Sequence, residues 1–327
     1  MNTFGVIYRV SLFGESHGRA IGVTIDGCPA GIDLGADDFL PDLARRRSGK
    51  KGTTPRKETD IPEVISGLYQ GKTNGAPLTV VSWNSDVDSS SYQNTVSVPR
   101  PGHADFVANK KYSGYSDLRG GGHFSGRITW GLVVAGVIAK KIIFPATVTA
   151  RLTEAGGMAD IEKAVEDALA KNDSIGGIIE CIVANSFLGL GEPFFYSAES
   201  AISQIIFSIP AIKGLEFGAG FEAAKMKGSE HNDPFIDSSG KTASNNAGGI
   251  NGGLTNGNDI VLRVAVKPTS STGAGQRTYD FEKGEMTTLQ IKGRHDACIA
   301  LRIPVIVEAA VAIALADLYL INRGINK

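Results

Sequence analysis

The sequence predicts an α+β fold in one domain spanning residues 1–327, and three observations carry that expectation. Strand-like and helix-like segments are mixed, but the regular strand–helix alternation of a doubly wound sheet is missing. Two helical segments, 129–144 and 304–320, are apolar almost all round, so both need cover on most sides. The chain has 327 residues, 42% hydrophobic and 20% charged, the balance of an ordinary globular protein with a large core.

Taken in order, residues 6–12 and 20–26 read as strands, separated by the segment FGESHG. Residues 37–47 have helical spacing and end in Arg45-Arg46-Arg47, where cations suit a helix C-terminus. Segment 48–60 is polar, basic and non-periodic, and reads as a loop. Residues 63–69 and 78–83 look like strands around the turn signal Asn74-Gly75. Segment 84–122 is long and polar without a clear period, which points to a functional loop. The helix at 129–144 stops at Pro145. An amphipathic helix is expected at 159–171, a strand at 175–184, a helix at 198–209 and a strand at 260–266.

Composition narrows the function. A net charge of -1 gives no global field for nucleic acid, and no binding motif for it is present. Cys28, Cys181 and Cys298 are sparse, odd in number and form no CxxC pair, which suits a reducing compartment. Arg9 and Glu15 come too early for a signal peptide's apolar core. The apolar run at 303–320 is interrupted by Glu308 and Asp317, so it reads as a buried helix, with no membrane association. A cytoplasmic location is expected. Glycine is abundant, at 41 residues, and clusters where backbone turns sharply or lies close to a ligand.

All five histidines (His17, His103, His123, His231 and His295) lie in glycine-rich or strongly polar surroundings, none on an apolar helical face. For His17, His103 and the pair His295-Asp296, a functional role is favoured over a merely solvated side chain. No HxH or HExxH spacing points to zinc, although long-range ligation stays open. No G-x-S-x-G elbow supports a hydrolase triad. Proton transfer is the remaining use of an imidazole in a polar pocket.

Arg45, Arg46, Arg47, Lys50, Lys51, Arg56 and Lys57 form a dense basic cluster, and Arg100, Arg119, Arg127 and Arg294 sit beside glycines or histidines. A guanidinium fork matches carboxylate and phosphate geometry, so the pattern suggests a small ligand with several negative groups. RGGGHFSGR lacks the order of a P-loop. The segment KPTSS, Lys267 to Ser271, either holds a cofactor phosphate or is a strand-end turn.

Taken together, GESHG followed by GVTIDGCPAGI, the RRR cluster, RPGHAD, RGGG, SIPAIKGLEFG, NNAGGINGGLTNG, KPTSS and GRHD with CIALR run from one end of the chain to the other in an order that resembles the chorismate synthase family. That resemblance implies a β-α-β sandwich, a helical core between antiparallel sheets, and usually a homotetramer. It implies a lyase of the shikimate pathway: a 1,4-elimination of phosphate from 5-enolpyruvylshikimate 3-phosphate, giving chorismate, with reduced FMN and no net redox change. Nothing resembling a separate nicotinamide-binding domain is visible, so the flavin is expected from an external flavin reductase rather than from NADPH at this chain.

By motif position, His17 resembles the acid that protonates the reduced flavin, His103 the acid for the departing phosphate, and Asp296 the group that helps the flavin act as base. Ser16, Arg46, Arg47, Arg100, Arg127 and Arg294 resemble substrate ligands. Flavin contacts are expected at His123, Phe124, Ser125, Pro210, Ala211, Gly252, Lys267, Pro268, Thr269, Ser270, Ser271 and Arg294. Three departures accompany the resemblance. The usual RGGGRSSARET reads RGGGHFSGRIT, placing His123, Phe124 and Ile128 where Arg, Ser and Glu are usual. The basic loop carries lysines where a further arginine is often found. The region 151–157 is shorter than in longer relatives, which is expected to alter a surface connection or subunit contact.

Overall fold

The computed structural model describes residues 2–55, 58–86, 95–291 and 295–325. Two antiparallel sheets enclose a helical layer. The first runs in the order Thr3–Phe4, Arg9–Gly14, Ala20–Asp26, Leu78–Trp83, Glu63–Ser66, and the second in the order Ile212–Phe217, Ile260–Val266, Gly177–Ala184, Thr147–Ala155. Register puts apolar partners on one face of each. Val10 lies opposite Ile25, which lies opposite Leu78; in the second sheet Val148 faces Val183 and Val183 faces Ile260, while Leu262 faces Cys181. All of these side chains are buried, as period-two alternation requires of a sheet covered on one side.

Between the sheets lie helices Thr129–Ile142 and Pro304–Ile325, which pack on each other; the first also covers the Ala20–Asp26 strand and the second covers Thr147–Ala155. Thr129 to Ala139 and Val305 to Leu318 are buried without interruption. That is why neither segment shows a polar stripe. The longer helix has the length and composition of a membrane span, but its apolar stretch is packed inside the fold. Its two acids have internal partners. The Asp317 carboxylate accepts the backbone N–H groups of Val6, Ile7 and Tyr8 at 2.7–2.9 Å. Glu308 accepts both ends of the Arg45 guanidinium, at 2.6 and 2.7 Å, the Lys140 ammonium at 3.0 Å and the Ala150 amide at 2.9 Å. Burial alone would raise its pKa, but these donors outweigh burial and hold it below the ordinary glutamate value.

The expected α+β class and sandwich describe this architecture, and individual elements differ. The strand expected from residue 6 begins at Arg9, because Val6 to Tyr8 are turned toward Asp317, and a further short strand, Thr3–Phe4, precedes it. The long polar segment is not structureless: it holds a helix at Asp105–Lys111 and a 3-10 turn at Arg119–Phe124. Residues 151–157 are the end of the Thr147–Ala155 strand, an edge of the second sheet, and the start of a tight turn in which Met158 N donates to Ala155 O. The strand Ile212–Phe217 and the hairpin Gln276–Asp280/Glu285–Leu289 lack a strong periodic signal and were not expected.

Candidate active site

Loops from both sheets converge on one cleft of about 1170 Å³. Helix Leu40–Arg46 ends there and sends three consecutive arginines in three directions. Arg45 turns inward to Glu308. Arg46, buried, reaches Asp60 through Nη1 at 3.1 Å and the Arg127 carbonyl through Nη2 at 3.0 Å. Arg47 donates to the Thr59 carbonyl. Asp60 also accepts from Arg127 Nη1, so one buried carboxylate joins the two guanidinium groups. Arg47 Nε, Arg127 Nη2 and Arg302 Nε are buried N–H groups with no hydrogen-bond acceptor among the described residues, although Arg127 Nη2 pairs with the buried Glu58 carboxylate at 3.9 Å, and all three arginines line the cleft.

Ser16 and His17 are buried on the cleft wall beside the glycine run. The Ser16 amide donates to the Gly122 carbonyl at 3.1 Å. Gly120, Gly121 and Gly122 all have positive φ, the region glycine enters without strain. A Cβ on Gly120 would lie 2.8 Å from Ser16 Oγ and overlap the His17 ring, and one on Gly121 would lie 3.4 Å from His103 Nε2. Adjacent glycines of one run therefore back the two imidazoles.

His103 belongs to a second cluster. Its Nδ1 lies 2.7 Å from Asp105 Oδ1, and Arg100 grips the same carboxylate through Nε at 2.7 Å and Nη2 at 2.8 Å. The Arg100 fork thus points to Asp105, and its Nη1 reaches Ser271 Oγ at 3.2 Å. Lys267 to Ser271 form a strap. Lys267 Nζ and Ser270 Oγ donate to the Gly102 carbonyl, and Thr269 Oγ1 donates to the Asp296 carbonyl. Burial, helped by Lys213, lowers the Lys267 pKa. The Asp296 carboxylate accepts the Thr54 amide at 3.0 Å and Arg302 Nη2 at 2.6 Å. Next to it, burial lowers the His295 pKa, against the opposing pull of Asp296.

Ser16, His17, Arg46, Arg47, Arg100, His103, His123, Phe124, Ser125, Arg127, Pro210, Ala211, Lys267 to Ser271 and Asp296 all line this cleft. Arg294, Arg56 and Lys57 lie outside the described residues. Gly252 does not reach the cleft within one chain: it sits on an exposed hairpin turn at the N-terminal end of helix Ala198–Ile206, whose opposite end lines the cleft. His123 lies within hydrogen-bonding distance of the Gly14 carbonyl through Nδ1, at 3.0 Å, and of Asn2 Oδ1 through Nε2, at 3.2 Å. Phe124 is part-exposed and faces Tyr112. Ile128, where an acid is usual, is buried.

Sequence reasoning missed Asp60, Asp105 and Arg302. Asp105 stands two residues after His103 in RPGHAD, a signal that was available. Asp60 ends a loop with no local pattern. Among the described residues no group of three or more His, Cys, Asp or Glu side chains is placed to hold a metal ion.

Comparison with known proteins gives one answer. Residues 8–320 match the family model for chorismate synthase. The chain is 58% identical over 328 residues to the chorismate synthase of Chitinophaga pinensis, covering 100% of this chain and 99% of that one. It is 44% identical over 353 residues to that of Archaeoglobus fulgidus, covering 98% of each. A crystal structure of chorismate synthase superposes with a TM-score of 0.77 at 27% identity, over 98% of this chain and 94% of the other. With the family model spanning most of the chain and the sandwich reproduced, the chain belongs to the chorismate synthase family.

Proposed function

We propose that the cleft eliminates phosphate from 5-enolpyruvylshikimate 3-phosphate in a 1,4 sense, giving chorismate. The observation that carries this reading is the set of buried guanidinium N–H groups on Arg47, Arg127 and Arg302 without hydrogen-bond acceptors among the described residues. Buried donors of that kind are costly unless a ligand satisfies them, and a substrate with one phosphate and two carboxylates does so.

Reduced FMN fits the same cleft. Its volume is at the upper end for one drug-sized ligand, leaving room for two partners. Ile205, Pro210, Ala211 and Ile212 offer an apolar wall for a ring system, while Lys267 and Ser271 offer donors for a phosphate. When bound, the reduced flavin would supply electron density as the C–O bond to phosphate breaks.

The chain's own residues do the rest. Arg47 and Arg127 hold the substrate's oxyanions and orient the ring, and Arg46 braces Arg127 through the shared Asp60. His103 presents Nε2 to protonate the departing phosphate. His17 offers a second imidazole, against Gly120 of the same glycine run. Asp296, anchored by Arg302 and the Thr54 amide, keeps a carboxylate on the wall where the ring hydrogen leaves. Further parts of the reading are a homotetramer, a cytoplasmic location, and flavin reduced by an external reductase.

The test is an anaerobic assay with 5-enolpyruvylshikimate 3-phosphate, following chorismate absorbance and phosphate release with and without chemically reduced FMN. Chorismate formed only with reduced FMN is the expected result. Phosphate released without chorismate or flavin would instead make the protein a hydrolase, and flavin binding without product a binding protein.

A further inference from the structure

We propose that Asp105 is a positioning residue for His103: it binds Nδ1–H and thereby makes Nε2 the one ring atom that exchanges a proton with the cleft. The inference rests on the elimination proposed above only for the identity of the proton's recipient; the assignment of the ring is independent of it.

Two groups compete for His103 Nδ1. Asp105 Oδ1 lies at 2.7 Å and Arg100 Nη2 at 3.1 Å. A carboxylate accepts and a guanidinium only donates, so the two contacts demand opposite tautomers. The Asp105 side chain is fully buried, and Arg100 already spends Nε and Nη2 on its two oxygens. Burial would raise the pKa of Asp105, but the hydrogen bonds from Arg100 and His103 outweigh it and hold the carboxyl well below the usual range. An ionised Asp105 has no proton to give. A bare Nδ1 at 2.7 Å would face it lone pair to lone pair, with no proton between. Nδ1 therefore carries the hydrogen, and the longer contact with Arg100 is not a hydrogen bond.

The other ring nitrogen is then fixed by exclusion. Nε2 points to the glycine run, in reach of a Cβ built on Gly121. With Nδ1–H held by the carboxylate, Nε2 is a bare acceptor in the neutral ring and an acid in the imidazolium. A proton taken from water at Nε2 forms the cation, the adjacent carboxylate stabilises it, and its Nε2–H passes to a phosphate oxygen, leaving the neutral Nδ1–H ring. The proton balance closes without another co-reactant. Arg100 has a changed part in this arrangement: its fork holds the carboxylate that holds the histidine, so it supports the site through Asp105.

Two measurements test the proposal. Isotope-edited imidazole NMR of histidine-labelled protein, with His103 assigned by its loss in His103→Gln, reads the tautomer without turnover. The neutral ring should be the Nδ1–H form in the unaltered chain, and Asp105→Asn should shift it toward Nε2–H. An Nε2–H ring in the unaltered chain overturns the proposal, even if Asp105→Asn fails to fold. In the anaerobic assay, Asp105→Asn should lower kcat about ten-fold or more, with KM for the substrate changed less than about three-fold and flavin affinity retained. In a His103→Ala background the same substitution should cost nothing further. An equal loss in both backgrounds would place the effect of Asp105 elsewhere. An absence of chorismate from the unaltered chain would count against the elimination and leave the tautomer result standing.

Discussion

Arg127 shows how much a single side chain carries here. One terminal nitrogen of its fork is tied to Asp60, and the other has no hydrogen-bond acceptor among the described residues and only the Glu58 carboxylate at 3.9 Å, so it is half anchored and half offered. Lysine keeps the charge but cannot hold both positions. Arg127→Lys should therefore raise the KM for the polyanionic substrate about ten-fold or more; steady-state kinetics on the purified variant check this, and an unchanged KM would remove Arg127 from the substrate contacts. Gly120 is equally exposed to test. Its positive φ and the nearness of Ser16 and His17 leave no space for a methyl group. Gly120→Ala should displace the His17 ring and lower kcat at least about ten-fold, and a circular-dichroism melt beside the assay separates this from unfolding. At this scale the sequence revealed the types of group but not their partners. Histidines beside glycine and arginines beside histidine were visible in the chain order. That Asp60 would reach Arg127 as well as Arg46 depends on loops brought together from different parts of the chain, whereas the Arg302–Asp296 pair spans only six residues and lacked a pattern to announce it.

Among elements, the two central helices were the most legible, because a long run of apolar residues with no polar stripe leaves burial as its only stable setting. How closely they pack was not legible. Helix Thr129–Ile142 crosses Pro304–Ile325 at Gly136, where a Cβ would lie 2.5 Å from Ala309 Cα. Gly136→Ala should force the helices apart and cost about 1–3 kcal/mol, read as a lower urea midpoint with an unchanged slope. A midpoint equal to that of the parent would mean that the helices have slack at this crossing. Short strands fared worse. Ile212–Phe217 contains Lys213, Gly214 and Glu216 and shows little alternation, so only its pairing with Ile260–Val266 makes it a strand. Helix Asp105–Lys111 is two turns long, too short for its period to stand out in a polar segment.

For the whole molecule, the buried carboxylates set the response to acid. Glu308 and Asp105 both have pKa values held below their ordinary ones. A depressed folded-state value means stability that is complete above the unfolded-state value, near pH 4, and is lost as pH falls through the folded-state value. The urea midpoint should therefore decline steeply below about pH 4, after a shallower fall that starts near pH 6.5, where the unfolded chain protonates the His295 ring that burial keeps neutral in the folded one. Glu308→Gln should lower the midpoint at neutral pH by the equivalent of about 1–3 kcal/mol and flatten the decline in acid. A parent midpoint that stays level down to pH 3 would contradict this account.

The strap from Lys267 to Ser271 has a consequence for motion. It is fastened at one end to the turn that bears His103, through Gly102, and at the other to the backbone of Asp296. When ligands enter or products leave, those two walls travel as a linked pair. Opening of the cleft should then fall to the arginine side, and a label-to-label distance between the His103 turn and the Asp296 loop should be the same with and without ligands.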